Sequence, residues 1–268
     1  MSIRKFAISL LAASASLVAV NSHAANVTPD VIMGSGIDNG SFTVGTANYV
    51  EIGLRAKVRY PVPKNTFNYD GTRTYTFDPG ESSPGSGRPL WNFEWSVNSD
   101  TGDTGRKLDD LTYILALDTD PTSGVSFTKI FDPVNPSLEY PYFDNSIGDN
   151  NTVNGAGTEA GNVGDYVNLI ADNNVAQNSW AYNWFADIDP TIAGTYTIAL
   201  LAFDGQNAFP DLTSDKLFAF LGDGTKSGTY INVVVSAVPL PAALPLYGAG
   251  LAVMGFIGWR RKKKANAA

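Results

Sequence analysis

Alternation of apolar and polar positions dominates this chain, and it is clearest over residues 49–60. There Val50, Ile52, Leu54, Ala56, Val58 and Tyr60 alternate with Glu51, Gly53, Arg55, Lys57 and Arg59. A period of two predicts a strand with one face in a core and the other in water. Residues 41–46 are short enough to pair with it, and residues 73–78 read as a strand after a turn at Asp70-Gly71. In the next strand Trp91, Phe93, Trp95 and Val97 share one face, with Asn92, Glu94 and Ser96 on the other. Residues 111–118 are apolar on both faces, as a central strand is. Residues 189–204 and 228–237 read as two long core strands.

The intervening pattern is less regular. Residues 144–157 are polar and predict a surface loop. One helix follows, with Thr158 as a candidate cap and Val163, Tyr166, Val167 and Ile170 on one face. Trp180, Tyr182 and Trp184 then return to strand alternation. If wet, these three rings would form a sugar-stacking platform; if buried, they are core. The Ser/Gly/Pro run over residues 82–87 reads as a flexible loop. About ten strands and one short helix predict an all-β fold, a two-sheet antiparallel β-sandwich of Ig-like or jelly-roll-like type. Gly194-Thr195-Tyr196 resembles the tyrosine corner of immunoglobulin-like sandwiches, the alternative being an ordinary strand tyrosine.

The two ends break this pattern. Arg4 and Lys5 precede an apolar or small run over residues 6–20, and Ser22-His23-Ala24 puts small residues at the positions a signal peptidase reads. Residues 1–24 are thus expected to be a signal peptide, cut between Ala24 and Ala25. At the other end, residues 238–259 carry no charge. As a helix such a run is about 33 Å long, enough to cross a hydrocarbon core. A transmembrane helix is expected over residues 240–259, followed by a basic stop of Arg260, Arg261, Lys262, Lys263 and Lys264. Basic clusters stay on the cytoplasmic side, so the body, residues 25–237, should lie outside.

Charge and composition narrow the chemistry. Of 18 Lys+Arg, two lie in the leader and five in the tail, while all 26 Asp+Glu lie in the body, whose net charge is therefore −15. That argues against nucleic acid and anionic lipid as partners of the body. The chain has no cysteine, and its one histidine, His23, leaves with the leader. Ser-His-Asp triads, cysteine nucleophiles and His/Cys zinc sites are thereby excluded from the body. No phosphate-binding glycine loop occurs.

Two weaker possibilities remain. Asp118-Thr119-Asp120 with Gly124 begins like a calcium loop, but Thr122 and Ser123 stand where a further oxygen ligand is wanted and no Glu closes it. Asp118 and Asp120 are the calcium candidates, with Asp144, Asp149, Asp187 or Asp189 as contributors from other loops; a plain turn is the alternative. Glu51, Glu94, Asp109, Asp110 and Asp118 could supply the carboxylate pair of a glycosidase. Alternation puts Glu94 on the wet face, away from its aromatic neighbours. No cofactor is otherwise expected.

The tail carries the one specific resemblance. Val238-Pro239-Leu240-Pro241-Ala242, the apolar span and the terminal Arg/Lys cluster resemble the PEP-CTERM sorting signal in its VPLPA form, with Leu240 where Glu is usual. Such tails are sometimes labelled an ice-binding protein C-terminal segment, a label that describes the tag. The resemblance covers only about the last 30 residues and implies a protein of the Gram-negative envelope. Its partners would be signal peptidase, the inner membrane in transit, an exosortase that cuts near Val238-Pro239, and extracellular polysaccharide. The body also resembles β-rich bodies found upstream of such tags, which bring no catalytic residues. The expectation is a non-enzymatic cell-surface or extracellular-matrix protein. The alternatives are a carbohydrate-binding module, with or without calcium, and a carboxylate glycosidase.

Overall fold

The computed structural model describes residues 23–25, 30–32, 40–58, 66–122, 124–135, 144–185, 189, 192–204, 213–223 and 226–236. Two sheets form the body. The first is six-stranded and is built from β1 (His23–Ala25), β2 (Phe42–Ala47), β3 (Val50–Val58), β5 (Trp91–Asn98), β8 (Ser146–Gly148) and β9 (Val175–Ala181). Its order is β1-β2-β3-β5-β9-β8. The second contains β4 (Thr74–Phe77), β6 (Leu111–Asp118), β7 (Phe127–Phe131), β10 (Gly194–Asp204) and β11 (Ser227–Val235), in the order β4-β11-β10-β6-β7. Every pair is antiparallel except β4–β11, which is parallel. The all-β architecture agrees with the alternation in the sequence, and the parallel pair departs from a purely antiparallel sandwich.

The core is where the two inner faces meet. Ile52, Leu54 and Ala56 of β3 and Trp91, Phe93, Trp95 and Val97 of β5 face Leu115 and Leu117 of β6, Ile198 and Leu200 of β10 and Ile231 and Val233 of β11. These are the positions that alternation assigns to one face. Rings interlock across the gap, as in Trp91–Tyr196 at 5.9 Å and Phe131–Trp180 at 6.1 Å between centroids. Tilted and edge-on pairs of this kind add about 0.5–1.5 kcal/mol each beyond their buried area.

Two α-helices are present where the sequence pattern suggests one. The first, α1 (Val163–Asp172), is capped by Asn162, whose side chain accepts from the Asp165 N–H; Thr158 instead pairs with Ile147 beside β8. Tyr166 and Ile170 are buried as expected, while Val163 and Val167 of the same stripe are exposed. The second, α2 (Ser214–Leu221), is capped by Thr213. It lays Leu217 and Leu221 on a second apolar cluster with Ile114, Ala116, Ala199 and Leu201. Burying each of those leucines contributes about 1.5–3 kcal/mol. This helix is why β6 is apolar on both faces.

Two loops differ from their sequence reading. The polar run over residues 144–157 contains β8, and Asn145, Ser146 and Ile147 are buried. The turn over residues 82–87 is ordered by Glu81, whose carboxylate accepts from the N–H groups of Gly85 at 2.5 Å and Gly87 at 3.0 Å.

Two glycines, Gly45 and Gly228, sit where backbone of one sheet meets backbone of the other. A Cβ on Gly45 of β2 would lie 2.1 Å from the Gly228 carbonyl oxygen. Beside them the Ser227 hydroxyl donates to the Ala47 and Val50 carbonyls at 2.9 and 3.0 Å, and accepts from the Ala47 N–H at 3.0 Å. One serine thus staples β11 to both arms of the β2–β3 hairpin. Asn48 and Tyr49 at its tip have φ of 50° and 64°, the pair of left-handed residues that a two-residue type I′ turn requires.

Among the described residues no helix is long and apolar enough to cross a membrane. The expected leader up to residue 22 and the tail from residue 237 onward, with Val238 to Ala242 and Arg260 to Lys264, lie outside them. Of the expected leader cut, Ala24 and Ala25 are both in β1.

Candidate functional sites

Three charged residues of β3 and β5 are not in water. Arg55, Lys57 and Glu94 stand side by side on the outer face of the six-stranded sheet and are buried. Register explains their meeting: Arg55 lies directly opposite Glu94, and Lys57 is two residues on. The Glu94 carboxylate accepts from Arg55 Nε at 2.5 Å and lies 2.5 Å from Lys57 Nζ. Arg55 Nη1 donates to the Gly40 carbonyl at 2.6 Å, and its guanidinium lies 4.1 Å from the Phe42 ring centroid. Burial pushes the Glu94 carboxyl up, but the Arg55 and Lys57 charges outweigh it and hold the group below the ordinary carboxylate range. Glu94 is therefore an ionised structural anchor, which corrects the wet-face reading. Removing one partner of such a buried group costs about 3–5 kcal/mol, because the remaining charge has no water to turn to.

The other carboxylates of the glycosidase candidate set lie apart from it. Glu51 is in β3, opposite Asn98. Asp109 and Asp110 form a 3₁₀ turn with Leu108, and the Asp110 carboxylate accepts from the Lys107 N–H at 2.8 Å. Burial, then the neighbouring Asp110, raises the Asp109 carboxyl. Asp118 ends β6 in the other sheet. Of these, Asp110 caps a turn and Asp118 ends a strand.

Asp118 and Asp120 make consecutive backbone turns. Asp118 accepts from the Asp120 N–H at 3.1 Å, and Asp120 from the Thr122 N–H at 2.9 Å. Asp144 accepts from the Asn178 amide at 3.2 Å, and Asp149 from the Asn151 N–H at 2.8 Å. Asp187 lies outside the described residues. Among the described residues no group of three Asp, Glu, His or Cys could hold a metal ion.

The aromatic row also divides. Strand β9 ends at Ala181, and Tyr182–Trp184 is a 3₁₀ turn. Trp180 and Tyr182 are core, whereas Trp184 is half exposed, with the Arg88 guanidinium 5.8 Å from its ring centroid. A three-ring platform is not formed. Tyr196 is likewise core, against Trp91 and Tyr182, and its hydroxyl makes no hydrogen bond to the described residues. The ties expected of a tyrosine corner are made elsewhere: Tyr75 donates to the Ser41 carbonyl at 2.5 Å, Tyr166 to the Val134 carbonyl at 2.7 Å, and Tyr182 to the Asp118 carbonyl.

One polar constellation escaped the sequence reading. Asp100, in the loop after β5, accepts from the N–H groups of Gly102, Thr104, Gly105 and Arg106 and from the Thr104 hydroxyl. Burial raises its carboxyl, but these donors prevail and hold it below the ordinary range. The Asn174 amide joins this loop to Asn98 and Asn150, each at 2.9 Å. Asp-Thr-Gly-Asp-Thr-Gly over residues 100–105 is the signal that could have revealed it, since Asp and Gly at that spacing suit nested turns. Next to this loop a small open hollow is lined by Asn48, Arg106, Asp204 and Lys226. These arrangements hold loops and offer hydrogen bonds; none sets a nucleophile beside a base. No protein-family model, curated protein or solved structure matches this chain.

Proposed function

We propose that this is an exported, non-enzymatic protein of the cell surface or extracellular matrix, delivered by its two ends and released from its tail by an exosortase-type enzyme. One observation carries the reading. The last described strand closes just before the tail begins: β11 ends at Val235, Ser236 N–H donates to the Phe77 carbonyl at 3.0 Å, and the Val238-Pro239-Leu240-Pro241-Ala242 sequence starts two residues later. A cut there would remove none of the described strands. The acidic body and its freedom from cysteine and, once the leader is gone, histidine agree with an extracellular support role.

Fractionation of native cells expressing wild type and a Pro239→Ala/Pro241→Ala variant tests this. Wild type is expected at the surface or in the medium, and the variant in the inner membrane with its tail attached. Equal distribution of the two would sink the role of the tail motif.

A further inference from the structure

The two sheets have four edge strands, and three are blunted by the body itself. Ile147 of β8 exchanges both backbone hydrogen bonds with Thr158, at 2.9 and 2.8 Å. Strand β4 is covered by the arm before it: Thr76 N–H donates to the Asn68 carbonyl at 3.1 Å and Asp70 N–H to the Thr74 carbonyl at 3.0 Å. Strand β7 carries Lys129 at its centre, a charge that discourages strand addition.

The fourth edge is the three-residue β1, and the strand it covers, β2, has the sequence FTVGTA, with neither charge nor proline. Such a strand is a template for further pairing. Among the described residues its outer side is covered by β1 alone, in the register His23↔Val44, Ala24↔Thr43 and Ala25↔Phe42. A cut between Ala24 and Ala25 would remove two of those three pairings and strip Thr43 and Val44 of their β1 partners. The edge is already shaped to accept an antiparallel strand, because β1 adds to it in that sense.

We propose that leader removal opens the β2 edge and that a second copy of this chain adds there, β2 against β2, making one sheet continuous through two molecules. This rests on the leader reading above. The twofold arrangement follows from the strand itself, since identical uncharged edges pair antiparallel about an axis. It also gives a matrix protein a contact that exists only after export. The net charge of −15 opposes association, so the contact should form at physiological salt, where repulsion is screened beyond about 8 Å.

The chain lacks cysteine, so one introduced thiol is a clean reporter. Thr46 is exposed at the outer end of β2, and Thr46→Cys should fold with an unchanged melting curve. The full chain bearing it is expressed in native cells, with and without Ala24→Asp, which places a large charged residue where the peptidase needs a small one. A short bis-maleimide is added to extracts at about 0.15 M salt, and intact mass is read. Chains that begin at Ala25 are expected to cross-link to double mass, and the blocked precursor to stay single. Cut chains that stay single overturn the proposal alone, as does equal cross-linking of cut and blocked chains. A Thr46→Cys chain still beginning at Met1 overturns the leader reading and the proposal with it.

Discussion

At the scale of single residues, the outer face of β3 and β5 teaches the most. Alternation correctly separates Arg55, Lys57 and Glu94 from the aromatic face. It cannot say that this second face is also covered, because a period of two marks sides and not solvent. The same blindness applies to Trp184, which leaves the row when the backbone turns into a 3₁₀ turn. Asp110, Asp118, Asp120 and Asp149, which resemble ligands or catalysts in the sequence, accept from backbone N–H groups instead. Asp132, a further carboxylate that caps backbone, has a cost readable by pH. It accepts from the N–H groups of Tyr113, Val134 and Asn135, yet burial pushes its carboxyl up from 3.8 to about 6. Below pH 3.8 both folded and unfolded chains hold the proton, so the group costs nothing. Between about pH 4 and 6 the unfolded chain loses it first, and stability falls as pH rises. Wild type minus Asp132→Asn stability, from denaturant unfolding at each pH, should therefore fall across that window. The fall is at most about 3 kcal/mol, and less for a group in partial contact with water. Two profiles that stay parallel from pH 4 to 7 would contradict this role.

At the scale of elements, the clear strands were legible: β3, β5 and β11 occupy their segments to within two residues, and β10 begins at Gly194, five residues into the segment read as strand. Two elements were not. Strand β8 is three residues inside a polar run, and it exists because Ser146–Gly148 pairs with Val175–Gln177 in β9. No local pattern announces such a pairing. Helix α2 is eight residues with only Leu217 and Leu221 buried, too short for its period to stand out. The β2–β3 hairpin is legible at its strands but not in its attachment to β11, which depends on Gly45 meeting Gly228. Gly45→Ala drives a methyl into a carbonyl oxygen on the opposite sheet. The expected loss is about 1–3 kcal/mol, the usual range for overpacking. Thermal unfolding measures it, and a melting temperature equal to wild type would show that the two strands can part without cost.

At the scale of the whole molecule, fold class was legible and topology was not. Alternating strands with an apolar central one imply two packed sheets, but nothing local tells β4 to run parallel to β11 or β9 to lie beside β5. Those choices are made by contacts distant in sequence. The proposed targeting role rests on the ends of the chain, because targeting segments are read by composition and short motifs. The body contributes a closed aromatic core, capped loops and blunted edges, and its described carboxylates are engaged in the fold. The proposed function therefore rests on the ends of the chain. The most direct test is intact-mass spectrometry of the chain recovered from the surface or matrix fraction of native cells. The expected mass runs from Ala25 to a C-terminus near Val238. A chain from Met1 to Ala268, confined to the inner membrane, would contradict the account.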